Sequence, residues 1–194
     1  PLQFFMVKNK LRKSLLKQGL ALSEDFIKPS STDIQNKFIE FLDNQTIKNI
    51  LLYCPFKQEI KLDQVIKNIN KRSIKIYLPK VLPQKKLSFN LYTSESDLIK
   101  NKYGILESNN LHCAQVHEID LLVIPFLGVD RHGRRLGYGG GYYDRALENI
   151  QTLKSVPLIV GIGYEYQLLK EIFGENHDIK YDLVITESNI HSYV

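Results

Sequence analysis

The chain has 194 residues, of which 43% are hydrophobic and 24% are charged, and 26 lysines and arginines stand against 21 aspartates and glutamates. This composition is typical of a globular protein with a buried core and excludes an intrinsically disordered chain. No apolar run approaches the roughly 20 residues that a membrane-spanning helix needs, so no membrane association is expected. The basic excess suits a phosphate-bearing ligand, although it suits plain solubility equally well.

The two cysteines, Cys54 and Cys113, give neither a disulfide framework nor a zinc-binding spacing, which favours a cytoplasmic protein. The histidines near Cys113, His112 and His117, are interpreted as part of a surface segment, because no second cysteine pair lies nearby. Residues 1–5 precede the single methionine and are interpreted as non-native or disordered. A monomer is expected.

Two helices are predicted at the start of the chain, and strands then alternate with helices. The first is a basic amphipathic helix over residues 7–20, with leucines along one face. The second is predicted from Ser31 or Thr32 to about Leu42, because hydroxyl side chains favour a helix start. The later strands are predicted at 49–54, 74–79, 87–92 (an edge strand), 120–126, 157–164 and 182–187. The later helices are predicted at 61–72, 96–101, 142–154 and 167–173.

Continuous apolar strands separated by helices indicate a mainly parallel sheet covered on both faces. We therefore predict an α/β fold, a three-layer αβα arrangement with a mainly parallel, Rossmann-like central sheet. Residues 1–194 are treated as one domain, because no linker, repeat or low-complexity run interrupts them. Ligands bind such sheets at the carboxyl ends of the strands, which puts the segment beyond Pro125 on the functional rim.

That segment contains RRLGYGGGYYDRAL, residues 134–147, with four of the 11 glycines between positions 137 and 141. It fits neither a Walker A loop nor a dinucleotide fingerprint, because Tyr142 stands where lysine or a third glycine is required. Glycines still let backbone N–H groups face an anion, and a helix start near Tyr142 adds positive potential. Arg134 and Arg135 suit phosphate oxygens, and Asp144 suits either a helix cap or Mg²⁺. A phosphate site and a plain surface turn both remain open.

The longer segment LGVDRHGRRLGYGGGYYDRAL resembles the signature of the 5-formyltetrahydrofolate cyclo-ligase family, also called methenyltetrahydrofolate synthetases. Other blocks resemble the family in the same order, and together they cover nearly the whole chain: KNKLRKSLLKQ, FKQEI, IYLPKV, KYGILES, GYEYQ and ENHDIKYDLVITE. Ser108 stands where the family usually has proline. Tyr138 and Gly140 replace the arginine and lysine of some forms, which bears on nucleotide affinity more than on reaction type.

The resemblance implies an ATP- and Mg²⁺-dependent C–N ligase. Such an enzyme converts 5-formyltetrahydrofolate, with or without a polyglutamate tail, to 5,10-methenyltetrahydrofolate and releases ADP and phosphate. The formyl oxygen attacks the γ-phosphate of ATP, and nitrogen 10 of the folate then closes the ring as phosphate leaves. The enzyme's task is then mainly positioning and charge neutralisation.

The resemblance also implies roles for individual residues. The implied ATP-binding residues are Lys8, Arg12, Arg135, Leu136, Gly137, Tyr138, Gly139, Gly140, Gly141, Tyr142 and Tyr143. The implied folate-binding residues are Cys54, Glu59, Tyr138, Gly139, Gly140, Gly141 and Tyr142, with Glu59 accepting pterin N–H groups and Tyr142 stacking on the pterin. Mg²⁺ is assigned to Asp144 and Asp178, with Asp182 as a weaker candidate. Catalytic roles are assigned to Arg135, Tyr142 and Asp144.

Other interpretations of the same residues stay open. Read alone, Glu59 is an ordinary carboxylate before a helix, Cys54 a small buried residue and Asp178 a turn residue. A module that binds RNA or a regulatory nucleotide is a second hypothesis. RNA binding needs none of Glu59, Asp144 and Asp178, so no nucleic acid is expected. A sugar-phosphate isomerase or CoA-transferase is a third, on fold analogy alone.

Overall fold

The computed structural model describes residues 2–194, with side chains from residue 4 onward. Its α-helices are α1 (Leu2–Leu20), α2 (Glu24–Asp43), α3 (Asp63–Ile69) and α4 (Tyr142–Ala146). Residues 2–5, which the sequence analysis interpreted as non-native or disordered, are therefore part of a helix, and Pro1 lies outside the described residues. Within that described part, none of the helices is both long and apolar enough to cross a membrane.

Twelve strands are present in the described chain. They are β1 (Asn49–Leu51), β2 (Lys75–Leu82), β3 (Lys86–Tyr92), β4 (Leu98–Lys100), β5 (Leu106–Ser108), β6 (Cys113–Ala114), β7 (Leu121–Val123), β8 (Gly128–Val129), β9 (Arg135–Leu136), β10 (Leu158–Ile162), β11 (Leu183–Ile185) and β12 (Ile190–Ser192). Eight form one sheet in the order β12-β11-β10-β7-β1-β2-β3-β6, and β4-β5 and β8-β9 form two small antiparallel pairs.

The five central strands of the large sheet, β11 to β2 in spatial order, run parallel. Strands β12 and β3 flank them and run antiparallel to them, and β6 pairs antiparallel with β3. The prediction of an α/β fold with a mainly parallel sheet is therefore confirmed. Successive strand residues point to opposite faces, so Ile50 packs in one core with α2 and α3, while Leu51 packs in a second core beside α4. Helices thus cover both faces of the sheet.

The second helix starts earlier than predicted. Ser23, not Ser31 or Thr32, caps it, because the Ser23 hydroxyl accepts the N–H of Phe26 at 3.3 Å. Pro29 lies inside the helix. It lies in the second turn, where its missing N–H removes one intrahelical hydrogen bond.

Several other element predictions were wrong in detail. The segment 96–101 is a short 3-10 turn followed by β4, which pairs with β5. The segment 167–173 is not an α-helix: Gln167 ends a 3-10 turn, Leu168 forms an isolated parallel bridge with Val129, and the Leu169 N–H donates to the Val129 carbonyl. The helix predicted over 142–154 ends at Ala146, and a 3-10 turn follows at Ile150–Thr152. Strand β3 is not at the edge, since β6 pairs with it, and β12 was not predicted.

The order of the strands creates a switch point between β1 and β7. The chain leaves β1 towards β2 on one side, and it returns later to β7 on the other side before continuing to β10 and β11. At such a point the connections diverge and leave a crevice at the carboxyl ends of the two strands. Tyr53 and Cys54 follow β1, Pro125 follows β7, and all three line a cavity at this end of the sheet.

Candidate active site

The cavity at the switch point has a volume of about 710 Å³, within the range of small-molecule sites. It brings together residues that are far apart in the chain. Every residue that the family resemblance assigned to ATP, folate or Mg²⁺ lines it, except the weaker candidate Asp182: Lys8, Arg12, Cys54, Glu59, Arg135, Leu136, Gly137, Tyr138, Gly139, Gly140, Gly141, Tyr142, Tyr143, Asp144 and Asp178. The Asp182 carboxylate instead accepts the Ile159 N–H at 2.7 Å, inside the sheet.

Helix α1 carries two cations to the cavity. Leu15 is buried against Leu136 and Phe173 and so anchors the helix beside the β8-β9 pair; its burial contributes roughly 2 kcal/mol. One turn earlier, the Arg12 Nε donates to the Gly137 carbonyl at 2.8 Å. Lys8 lies four residues before Arg12 and therefore on the same face of the helix. The exposed lysines of α1 lie away from this face.

Lys8 connects α1 to the segment 175–178. Its Nζ lies 2.9 Å from Glu175 Oε2 and 2.6 Å from Asp178 Oδ2. Burial alone would lower the pKa of Lys8, but its hydrogen bonds to the two carboxylates outweigh burial, and its pKa is raised. Arg134, which the sequence analysis considered for phosphate binding, instead donates to the carbonyls of Glu175 and Asp178 at 2.9 and 3.2 Å. It shapes this segment and is not part of the cavity wall.

Arg135 is buried and held from three sides. Its Nε donates to the Pro125 carbonyl at 2.7 Å, its Nη1 lies 3.7 Å from Asp144 Oδ2, and its guanidinium lies 5.3 Å from the centre of the Tyr143 ring. These contacts connect the end of β7 to β9 and α4. They fix a permanent positive charge at the cavity wall, where it can act without rearrangement.

The glycine segment forms the central wall. Gly139 and Gly141 adopt φ angles of +97° and +67°, which side-chain-bearing residues rarely adopt. Within the described chain, the backbone N–H groups of residues 138–141 donate to no other group, so they are free to bind an anion. Helix α4, which follows, has only five residues, so it adds less positive potential than the longer predicted helix would. Most of the groups that could bind an anion here therefore belong to the glycine loop, Arg12 and Arg135.

A second group of lining residues surrounds a half-buried carboxyl group, that of Glu59, and we call it the carboxyl end of the cavity. Glu59 Oε2 accepts the Phe56 N–H at 2.8 Å. Burial raises the pKa of Glu59 to about 7, although that hydrogen bond and the charge of Arg135 oppose the rise. Burial also raises the pKa of the nearby Cys54 thiol to about 11, so Cys54 is a neutral wall residue and not a nucleophile at neutral pH.

Aromatic side chains also line the cavity: the sequence analysis had assigned Tyr138 and Tyr142 to the site but had missed Phe56 and Tyr103. The Phe56 and Tyr138 rings meet edge to face with centroids 5.5 Å apart. At the cavity mouth, the hydroxyls of Tyr103 and Tyr142 lie 2.9 Å apart and join two distant segments. Phe56 and Tyr103 belong to the blocks FKQEI and KYGILES, which the sequence analysis had noted, but nothing in those blocks indicated that the two aromatic residues line the cavity.

Carboxylates that suit a divalent cation also line the cavity. Glu175, His177 and Asp178 each offer a ligand atom, and these atoms lie within 4.8 Å of one another. Asp144 is half-buried beside Arg135 and is not a member of that group. Mg²⁺ prefers hard oxygen ligands, so the carboxylates of Asp178 and of Glu175, which the sequence analysis had not assigned, suit Mg²⁺, whereas Asp144 does not belong to the same group of ligand atoms.

A permanent cation, free loop N–H groups and carboxylates at a sheet switch point are features that suit a phosphate-bearing ligand in an α/β enzyme. The chain belongs to the 5-formyltetrahydrofolate cyclo-ligase family, whose sequence profile matches residues 5–187. The resemblance predicted from the glycine segment is therefore confirmed.

Individual relatives agree with this assignment. The 5-formyltetrahydrofolate cyclo-ligase of Haemophilus influenzae is 32% identical over 152 residues, which cover 76% of this chain and 80% of the relative. That of Mycoplasma pneumoniae is 32% identical over 186 residues, covering 94% and 99%. The solved structure of Aquifex aeolicus 5,10-methenyltetrahydrofolate synthetase superimposes with a TM-score of 0.82 at 28% identity, covering 96% and 93%. The relatives are enzymes, and this chain is an enzyme of the same family.

Proposed function

We propose that the protein converts 5-formyltetrahydrofolate to 5,10-methenyltetrahydrofolate, with ATP as the phosphate donor and Mg²⁺ as its counter-ion. Family membership supports the folate conversion. One observation carries the rest: the glycine loop at 137–141 is a wall shared by two chemically different ends of one cavity. One end offers cations and carboxylates, and the other offers aromatic rings and a half-buried carboxyl group.

The cationic end suits the triphosphate of ATP. Arg12 lies against the Gly137 carbonyl, and Arg135 lies on the adjoining strand. With the free N–H groups of residues 138–141, these guanidinium groups can bind non-bridging phosphate oxygens. Asp144 and Asp178 would hold Mg²⁺, which supplies positive charge against the phosphate oxygens when bound.

The aromatic end suits the pterin of the folate. A carboxylate can accept two parallel N–H groups from an amino-pyrimidine edge, and Glu59 is the carboxyl group at this end of the cavity. The ring of Tyr142 at the mouth can stack on the planar pterin, while the Phe56–Tyr138 pair offers an apolar wall. Both ligands would meet at the glycine loop, with the formyl group facing the terminal phosphate.

The reaction then follows in two steps. The formyl oxygen attacks the γ-phosphorus, the bond to the β-phosphate oxygen breaks, and ADP is the leaving group. Nitrogen 10 next attacks the activated formyl carbon, and the carbon–oxygen bond breaks so that phosphate leaves with the formyl oxygen and the nitrogen 10 proton. Arg135, fixed by Pro125 and Asp144, stabilises the charge on the transferred phosphoryl group.

The test is the absorbance of the methenyl product after mixing purified protein with 5-formyltetrahydrofolate, Mg²⁺ and ATP. Product should form only when ATP is present, and Asp144→Asn should lower turnover by at least about tenfold. Folded protein that binds ATP but forms no product would disprove the proposal. ATP-independent product would disprove the phosphorylation step alone.

A further inference from the structure

Phe5 is an apolar residue that lines the cavity and is exposed to solvent. It lies in the first turns of α1, its side chain is 60% exposed, and it is one of the residues that line the cavity. Its neighbour Phe4 is also exposed, at 45%, but does not line the cavity. Met6 and Val7 are exposed too and do not line the cavity, so Phe5 is the member of this exposed stretch that a ligand in the cavity could cover, which would remove its ring from water.

Phe5 shares one face of α1 with the two cations. Phe5, Lys8 and Arg12 are spaced i, i+3 and i+7, which places them in a row along the helix. Arg12 lies at the glycine loop and Lys8 lies at Glu175 and Asp178. Phe5 therefore lies beyond Lys8, about 10 Å along the helix from Arg12, and its side chain leans further towards the N-terminal end.

This row matches the order of groups in a nucleoside triphosphate. The terminal phosphates would lie at the loop and Arg12, and the ribose and base would extend along α1 past Lys8. Other aromatic residues of the cavity have aromatic partners: the Phe56 and Tyr138 rings meet edge to face, and the hydroxyls of Tyr103 and Tyr142 are hydrogen-bonded. Apart from Phe5, the lining residues on α1 and on the segment 175–178 that Lys8 contacts are charged or polar: Lys8, Arg12, Glu175, His177 and Asp178.

We propose that Phe5 stacks on the nucleobase of the bound nucleotide and so forms the base-binding part of the ATP site. This inference rests on the proposed function, because it takes ATP as the phosphate donor. Stacking of a base on an aromatic side chain is sequence-tolerant. Phe5 thus contributes affinity for any planar base and little discrimination between bases.

The test compares ligands with and without a base. Dissociation constants for ATP and for inorganic tripolyphosphate are measured by calorimetry on the full chain, for the wild type, Phe5→Ala, Phe5→Trp and the matched control Phe4→Ala. We expect Phe5→Ala to weaken ATP binding by at least about fivefold and to leave tripolyphosphate binding unchanged. Phe5→Trp should retain ATP affinity, and Phe4→Ala should behave as the wild type.

Three results would overturn the inference: ATP affinity unchanged in Phe5→Ala, an equal loss for tripolyphosphate, or an equal loss in Phe4→Ala. A wild type that binds no ATP would overturn it as well. The experiment distinguishes failure of this inference from failure of the proposed function. Methenyl product with an unchanged Phe5→Ala affinity refutes only the stacking role, whereas Phe5-dependent ATP binding without product refutes only the folate reaction.

Discussion

Replacing Glu59 by glutamine should stabilise the unliganded protein while impairing folate binding. The pKa of Glu59 is raised from near 4.5 to about 7, mainly by burial. Glutamine has nearly the same shape, and its side-chain oxygen can keep the 2.8 Å hydrogen bond from the Phe56 N–H. The substitution therefore removes the cost of ionising a half-buried carboxyl group and changes little else.

The sign and the pH range follow from linkage. Below about pH 4, Glu59 is protonated in both the folded and unfolded states, and ionisation adds nothing to the difference. As pH rises towards 7, the unfolded chain loses the proton and the folded chain keeps it, so wild-type stability falls. Above pH 7 the penalty stays constant, with an upper limit of about 3.5 kcal/mol for this change in pKa. Because the side chain is partly solvated, we expect about 1–2 kcal/mol.

The measurement is the free energy of unfolding by urea, from pH 4.5 to 8, for the wild type, Glu59→Gln and the exposed control Glu148→Gln. The advantage of Glu59→Gln over the wild type should grow with pH and level off near pH 8, while Glu148→Gln should show no such trend. The same variant should bind 5-formyltetrahydrofolate at least about tenfold more weakly, because a charged acceptor is lost. An advantage that is constant across pH would refute the assigned pKa shift.

Two further substitutions separate the ends of the cavity. Arg12→Ala removes the guanidinium that lies against the Gly137 carbonyl, and it should raise the dissociation constant for ATP by about tenfold or more while folate binding changes little; calorimetry with each ligand alone checks this. Tyr103→Phe removes only the hydroxyl that lies 2.9 Å from the Tyr142 hydroxyl. It should raise the KM for 5-formyltetrahydrofolate by about two- to fivefold without changing the KM for ATP, and an equal rise in both would contradict the separation.

The fold could be predicted because the strands that form its centre are apolar on both faces. The segments 49–54, 120–126 and 157–164 read as buried strands, and β1, β7 and β10 lie within them as the parallel centre of the sheet. The observed strands are shorter, and beyond β1 and β7 the residues Tyr53, Cys54 and Pro125 line the cavity instead. That departure depends on the switch point, which no local pattern reveals.

The parts that could not be predicted depend on tertiary contacts. Arg134 and Arg135 are neighbours with the same chemistry, but adjacent residues of a strand point in opposite directions. Arg135 therefore enters the cavity wall, and Arg134 supports the segment 175–178. Similarly, Leu168 and Leu169 have an apolar pattern that fits a helix, but alignment with Val129 keeps their backbone extended. The glycine motif alone indicated where a site would lie, whereas the aromatic and carboxylate side chains around it could be placed only from the tertiary structure.

Position 140 shows how one residue can influence both ligands. Some forms of the family motif carry lysine there, and this chain carries glycine. Gly140 does not have a positive φ, so its backbone accepts a side chain, but an added Cβ would lie 2.8 Å from Cδ2 of Tyr142. The ring would have to rotate, which would break its hydrogen bond to Tyr103.

Gly140→Lys should therefore have opposite effects on the two ligands. The added ammonium should strengthen ATP binding by about three- to tenfold, and displacement of Tyr142 should weaken 5-formyltetrahydrofolate binding by a similar factor. Gly140→Ala is the matched control, because it adds the same Cβ without the charge and should weaken only the folate. Dissociation constants for each ligand alone test the pair. If Gly140→Ala strengthened ATP binding as much as Gly140→Lys does, the charge would not be the cause.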